Sequence, residues 1–103
     1  MSAARLKNSY LLIDAALARE TFGDDPQVNV VYYPDRQTLL VAGKSKAFFE
    51  TLHKTSRVLL KDRNLLGDKS INIRELLIDN DIDDADRDIA FELKSTGILS
   101  LTI

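Results

Sequence analysis

Six aspartates within ten residues, Asp79, Asp81, Asp83, Asp84, Asp86 and Asp88, form the densest set of oxygen ligands in this 103-residue chain. Clustered carboxylates are what a calcium loop uses, because Ca²⁺ is a hard cation that takes several oxygens. An EF-hand loop needs carboxylates at its first, third and fifth positions, glycine at the sixth and glutamate at the twelfth. Counted from Asp79, Asp81 and Asp83 fall correctly, but Asp84 occupies the glycine position and Ala90 the glutamate position. Counted from Asp81, Glu92 is gained while Ala85 and Asp86 take the fifth and sixth positions. Asp79, Asp81 and Asp83 are therefore the cation candidates, and neither frame can make the sharp turn. No metal or cofactor is expected. The segment reads as a solvated acidic turn in which Asp81 or Asp83 makes Asx turns, with Ile82 and Ala85 facing a core.

Catalysis finds little else to work with. His53 is the single histidine, and the chain has no cysteine, so a two-histidine metal site within one chain and a thiolate nucleophile are both excluded. A serine triad would need His53 beside Asp62 or Asp68 and a serine such as Ser56, without the glycines of a nucleophile elbow. His53 reads as a surface residue on the polar flank of a short helix. Gly43-Lys44-Ser45 ends like a P-loop, but Thr38 stands where the motif's earlier glycine belongs. The aspartates have nothing apolar around them in sequence to raise a pKa. No catalytic residue is assigned.

Charge is more informative than any motif. From Lys44 to Arg74 there are eight Lys/Arg against three Asp/Glu, and from Glu75 to Glu92 one against eight. A net charge of -2 thus conceals a basic block followed by an acidic one, a pattern that points to charged partners. The interaction candidates are Lys54, Arg57, Lys61, Arg63 and Lys69 on the basic side and Asp83, Asp84 and Asp86 on the acidic side. Nucleic-acid binding through the basic 44–74 segment is an alternative, disfavoured by a sequence pI of about 5.3 and by poor aromatic interleaving.

The elements that must position these residues can be read from periodicity. Tyr10–Ile13 followed by Asp14 and Ala15–Phe22 reads as a strand, an N-cap and a helix, in preference to one helix from residue 5 to 22. Val28–Tyr33 and Thr38–Ala42 flank Pro34-Asp35-Arg36-Gln37, which predicts a β-hairpin covered on both faces. Ser45 is expected to cap a helix through Phe48, Phe49 and Leu52. Arg63–Ser70 reads as a loop around Gly67-Asp68, and Asn72 with Glu75 as a capping box opening a short helix. Ile89, Phe91 and Leu93 alternate with polar residues opposite Leu99, Leu101 and Ile103, which predicts a second hairpin with one buried face. Phe91 is expected inside. The sequence shows no internal repeat.

These elements make residues 1–103 a single α+β domain, with two antiparallel hairpins forming a small sheet or partly open barrel packed with two or three short helices. In order of elements alone the chain loosely resembles AbrB/MraZ-type regulators, whose hairpins from two subunits form a barrel; that resemblance implies DNA binding. No apolar run approaches a membrane span, and Asp14 interrupts the only stretch resembling a signal peptide. The expectation is a soluble, cytoplasmic, bacterial-type module that binds protein, most economically a homodimer, because the final strand lacks a charged gatekeeper along an apolar edge. A small carboxylate-dependent hydrolase is the remaining alternative.

Overall fold

Short alternating runs separated by turn residues give ten β-strands and three α-helices in the computed structural model, which describes residues 3–103. In chain order they are β1 (Ala4–Lys7), β2 (Tyr10–Ile13), α1 (Ala15–Phe22), β3 (Gln27–Tyr33), β4 (Thr38–Gly43) and α2 (Ala47–Leu52). There follow β5 (Ser56–Leu59), β6 (Lys61–Asp62), β7 (Lys69–Asn72), α3 (Arg74–Asp79), β8 (Arg87–Asp88), β9 (Ala90–Leu93) and β10 (Leu99–Thr102). The strands form two five-stranded antiparallel sheets, β6-β7-β2-β1-β8 and β5-β3-β4-β10-β9. The α+β class stands, with far more sheet than two hairpins.

The two sheets are joined by strands that bend from one into the other. β5 and β6 are separated only by Leu60, and β8 and β9 only by Ile89. Both corner residues are buried, and each donates its backbone N–H across the corner, Leu60 to Pro26 O (3.0 Å) and Ile89 to Ala4 O (2.9 Å). Taking each bent pair as one stave, hydrogen bonding runs from β5/β6 through β7, β2, β1, β8/β9, β10, β4 and β3 back to β5. This nearly closed antiparallel barrel leaves few free strand edges. Its interior is filled by Leu6, Leu11, Ile13, Val28, Leu39, Val41, Ile71, Leu99 and Leu101 among others.

Within that circuit β1-β2-α1-β3-β4 and β5/β6-β7-α3-β8/β9-β10 have the same ββαββ order. Exchanging the two halves maps every strand pairing onto another, with β2–β7 and β4–β10 at the twofold positions. The repetition is topological; the residues do not repeat. One chain closes the barrel.

Several expectations are corrected. The β1–β2 hairpin turns through Asn8 and Ser9, both at positive φ (52° and 68°), a tight turn suited to strand twist. The expected loop Arg63–Ser70 ends in β7, whose Ser70 and Ile71 pair with Leu12 and Leu11. Ser45 caps no helix; its hydroxyl donates to Asp25 Oδ2 (2.8 Å), and α2, with Lys46 at its N-cap position, has no side-chain cap. The capping box is absent too, since Asn72 Oδ1 accepts from Arg74 N (3.1 Å), two residues on. Phe91 is 41% exposed: it shares a face with buried Leu101 but lies on the outermost strand of its sheet. β10 is an inner strand between β4 and β9, so the apolar-edge argument for dimerisation fails. The Asp14 cap is as read, its Oδ1 accepting from Leu17 N (2.9 Å). No helix among the described residues is long and apolar enough to cross a membrane.

Candidate interaction surface

Strand alternation decides what each sheet shows outside the barrel. In the first sheet Ala4, Leu6, Leu11, Ile13 and Ile71 point inward and are buried. The outward row, read across the register, is Lys61–Ser70–Leu12–Arg5–Asp88, and beside it Asn72–Tyr10–Lys7. Arg5, Lys7, Lys61, Asn72 and Asp88 are exposed, and Tyr10 and Leu12 half-buried. Ser70, between Lys61 and Leu12 on that row, is buried. One edge is basic at Lys61, and the other is acidic at Asp88, which Arg5 approaches at 3.4 Å.

Part of the outward face of the second sheet is covered, while Leu59 on the same pleat of β5 stays 50% exposed. Ala42 on β4 packs with Phe49 of α2 and Ile98, flanked by Val31 and Leu40. At its border Asn29, 2% exposed, donates to Glu50 Oε1 (2.7 Å) and accepts from Arg57 Nε (3.4 Å), while the Arg57 guanidinium also bonds Glu50. The Asn29 hydrogen bond, opposed by partial burial and aided by Arg57, holds the Glu50 carboxyl below its ordinary pKa. His53 also belongs here and is no free surface residue. Its ring lies 4.8 Å from that of Phe49, and its Nδ1 is hydrogen-bonded to the Tyr33 hydroxyl.

The sequence-identified charges do not gather into one site. Lys54, Arg57 and Asp79 line an open cleft of about 670 Å³ beside α3, with Arg74, Glu75 and Tyr32. Asp81, Asp83 and Asp84 line a second cleft, of about 680 Å³, on the far side of Arg74. Asp83 makes an Asx turn to Ala85 N (3.0 Å), and Asp86 accepts from Asn8 N (3.0 Å). Ile82 packs against the core as expected, whereas Ala85 is exposed. Among the described residues, no three acidic or histidine side chains converge as metal ligands. Lys69 pairs with Asp62, and Lys61 and Arg63 lie on the β6 edge and the loop after it. The serine triad is not assembled, because Asp68 is committed elsewhere.

Asp68 instead braces the β6–β7 loop. Its Oδ1 accepts from Ala15 N (2.8 Å) and its Oδ2 from Asn64 Nδ2 (3.0 Å), while Asn64 Oδ1 accepts from Leu66 N (3.0 Å). Those two donors, Asn64 first, lower the Asp68 pKa. Leu65 and Leu66 stand in solvent at this tip, 106% and 77% exposed.

Arg5, Lys7, Tyr10 and Leu12 entered no sequence-based site, and Asp88 entered only as a member of the aspartate cluster. The alternation Ala4-Arg5-Leu6-Lys7 was the available signal, too short to distinguish from chance. Comparison of the chain with protein-family models, curated proteins and solved structures gave no match.

Proposed function

We propose that this chain is a binding and assembly module that self-associates through the outward face of its first sheet. The observation that carries the reading is the apolar centre of that face, where Tyr10 and Leu12 sit half-buried among exposed Arg5, Lys7, Lys61 and Asn72. An apolar centre with a polar rim is the usual anatomy of a protein interface. The packed barrel interior supports action at the surface.

Catalysis has less support. The two carboxyls with displaced pKa values, Glu50 and Asp68, are displaced downward, opposite to the shift a general acid needs. Nucleic-acid binding through residues 44–74 also loses support, because Arg57 is engaged by Glu50 and Lys69 by Asp62 in separate parts of the fold.

Sedimentation equilibrium tests the reading. The wild type is expected to dimerise reversibly, and Leu12→Glu is expected to be monomeric with little change in melting temperature. A wild type that stays monomeric at about 1 mM, where even a very weak dimer would be populated, overturns the proposal. So does a folded Leu12→Glu variant that dimerises unchanged.

A further inference from the structure

The barrel is closed between β6 and β7 but open between β5 and β7, and the register shows which hydrogen bonds are missing there. Antiparallel strands exchange both bonds at every second residue pair, and the residues between turn their N–H and C=O the other way. Leu60 N donates to Pro26 O (3.0 Å), so Val58 and Ser56 exchange bonds with Val28 and Val30 of β3. Arg57 and Leu59 therefore point their backbone groups away from β3. On the other side of the opening, Ile73 N donates to Ser9 O (3.2 Å), which commits Ile71 and Lys69 to β2. Ser70 and Asn72 then turn their backbone groups away from β2.

Ser70 finds its partner in Lys61, next to the Arg63 N to Asp68 O bond (2.8 Å). In the same register Leu59 would meet Asn72, and it does not. The bend at Leu60 carries β5 onto β3 instead, so the backbone N–H and C=O groups of Arg57, Leu59 and Asn72 have no hydrogen-bond partner among the described residues. This gap opens into the cleft of about 670 Å³ beside α3, which Arg57 and Asn72 line together with Val58, Ile73 and Leu76. The same cleft holds Lys54 and Arg74 against Glu75 and Asp79, none of them in an ion pair among the described residues. Arg57 is already neutralised by Glu50. An unpaired strand edge is a template for another strand, whose main-chain bonds supply affinity while adjacent pockets choose its side chains.

We infer that an extended segment of a partner protein adds to β5 as the next strand of the second sheet, bonding the free N–H and C=O groups of Arg57 and Leu59. The segment is apolar at alternate residues, to rest on Val58, Ile73 and Leu76. It carries little net charge, because the free charges of the cleft balance. Recognition therefore falls on the backbone, and salt has little effect on it. This surface is separate from the outward face of the first sheet, and the inference stands or falls independently of the self-association proposed above.

Amide hydrogen exchange followed by NMR tests this on the native chain. Val58 and Leu60 are expected to be protected, and Arg57 and Leu59 to exchange freely. Protection of Arg57 and Leu59 in the dilute protein would mean that the gap is closed, which rejects the inference. The probe is the end-blocked peptide Lys-Val-Thr-Val-Thr-Val-Glu at about 2 mM. With a dissociation constant of about 1 mM it should slow exchange at Arg57 and Leu59 about threefold, at low and high salt alike. No slowing overturns the inference, and a several-fold loss of binding in high salt moves recognition to Lys54 and Arg74 and overturns it as well. The same peptide with its internal amides N-methylated keeps the side chains and loses the donors, so equal binding by it rejects strand addition. Leu59→Pro removes an N–H that faces the gap and leaves the bonds to β3 in place. If that variant folds by circular dichroism, it should bind the peptide at least fivefold more weakly, and unchanged binding counts against the inference. Slowing that appears without peptide and grows with protein concentration would make the occupant a second copy, and the partner strand would be wrong.

Discussion

The outward faces of the two sheets sit over the same barrel on strands of similar length, yet one carries a helix against an apolar patch at Ala42 and the other a largely charged row around Tyr10 and Leu12. On the second sheet Ala42, Val31 and Leu40 present apolar groups, and α2 lays Phe49 on them. On the first sheet the equivalent outward positions carry Arg5, Lys7, Lys61, Ser70 and Asn72 around Tyr10 and Leu12. The difference teaches that side-chain chemistry on the outer pleat decides whether a helix must cover it. Apolar outward residues need burial to be stable, and charged ones are better left in water. Where the covered face does include polar groups, they are matched, as in the Asn29–Glu50–Arg57 network.

The comparison can be broken most directly at Phe49. Because its ring is fully buried under α2, Phe49→Ala should cost about 3–5 kcal/mol by chemical denaturation. A loss under about 1 kcal/mol would mean that α2 does not seal its patch of the second sheet. Phe91, expected from alternation to be equally buried, is half-exposed at the outermost strand. Phe91→Ala should therefore cost only about 1–2 kcal/mol, and an effect matching that of Phe49→Ala would show that the barrel corner packs more tightly than described.

The smallest effect is the pH dependence of the covered face. The folded-state pKa of Glu50 lies below its ordinary value, so its contribution to stability is present above the unfolded pKa, about 4.3. It is lost as pH falls through the folded value. Melting temperature followed from pH 7 to pH 3 should fall less steeply in Glu50→Gln than in the wild type. Parallel curves would detach Glu50 from the network.

Much of the fold was legible wherever one residue type forces one backbone. Asp14 is a strong helix cap and a poor helix interior residue, so strand–cap–helix could be chosen over one long helix. Pro34 and the β-branched runs beside it set the β3–β4 hairpin. The missed strands are those with least local signal: β1 has four residues with two charges, and β6 has two residues. They are strands because neighbours supply hydrogen-bond partners, which no local pattern encodes. Ser45 and Asn72 were misread for the same reason, since a hydroxyl or amide that suits a helix cap serves as well in another bond, here with Asp25 or in a tighter local turn.

The amino-acid order by itself determined the alternation of apolar and polar groups, the positions of strong turns and caps, and two opposite charge blocks, because each depends on neighbours within a few residues. Only the tertiary structure decided which charges share a surface. Barrel closure scatters the basic block among the segments flanking α2, strands β5, β6 and β7, and α3, and it brings Arg5 and Asp88, 83 positions apart in the chain, to adjacent places on one sheet. The physical reason is that strand pairing is set by burial of the inward faces. Those apolar groups choose the register, and the outward charges are carried to wherever that register puts them.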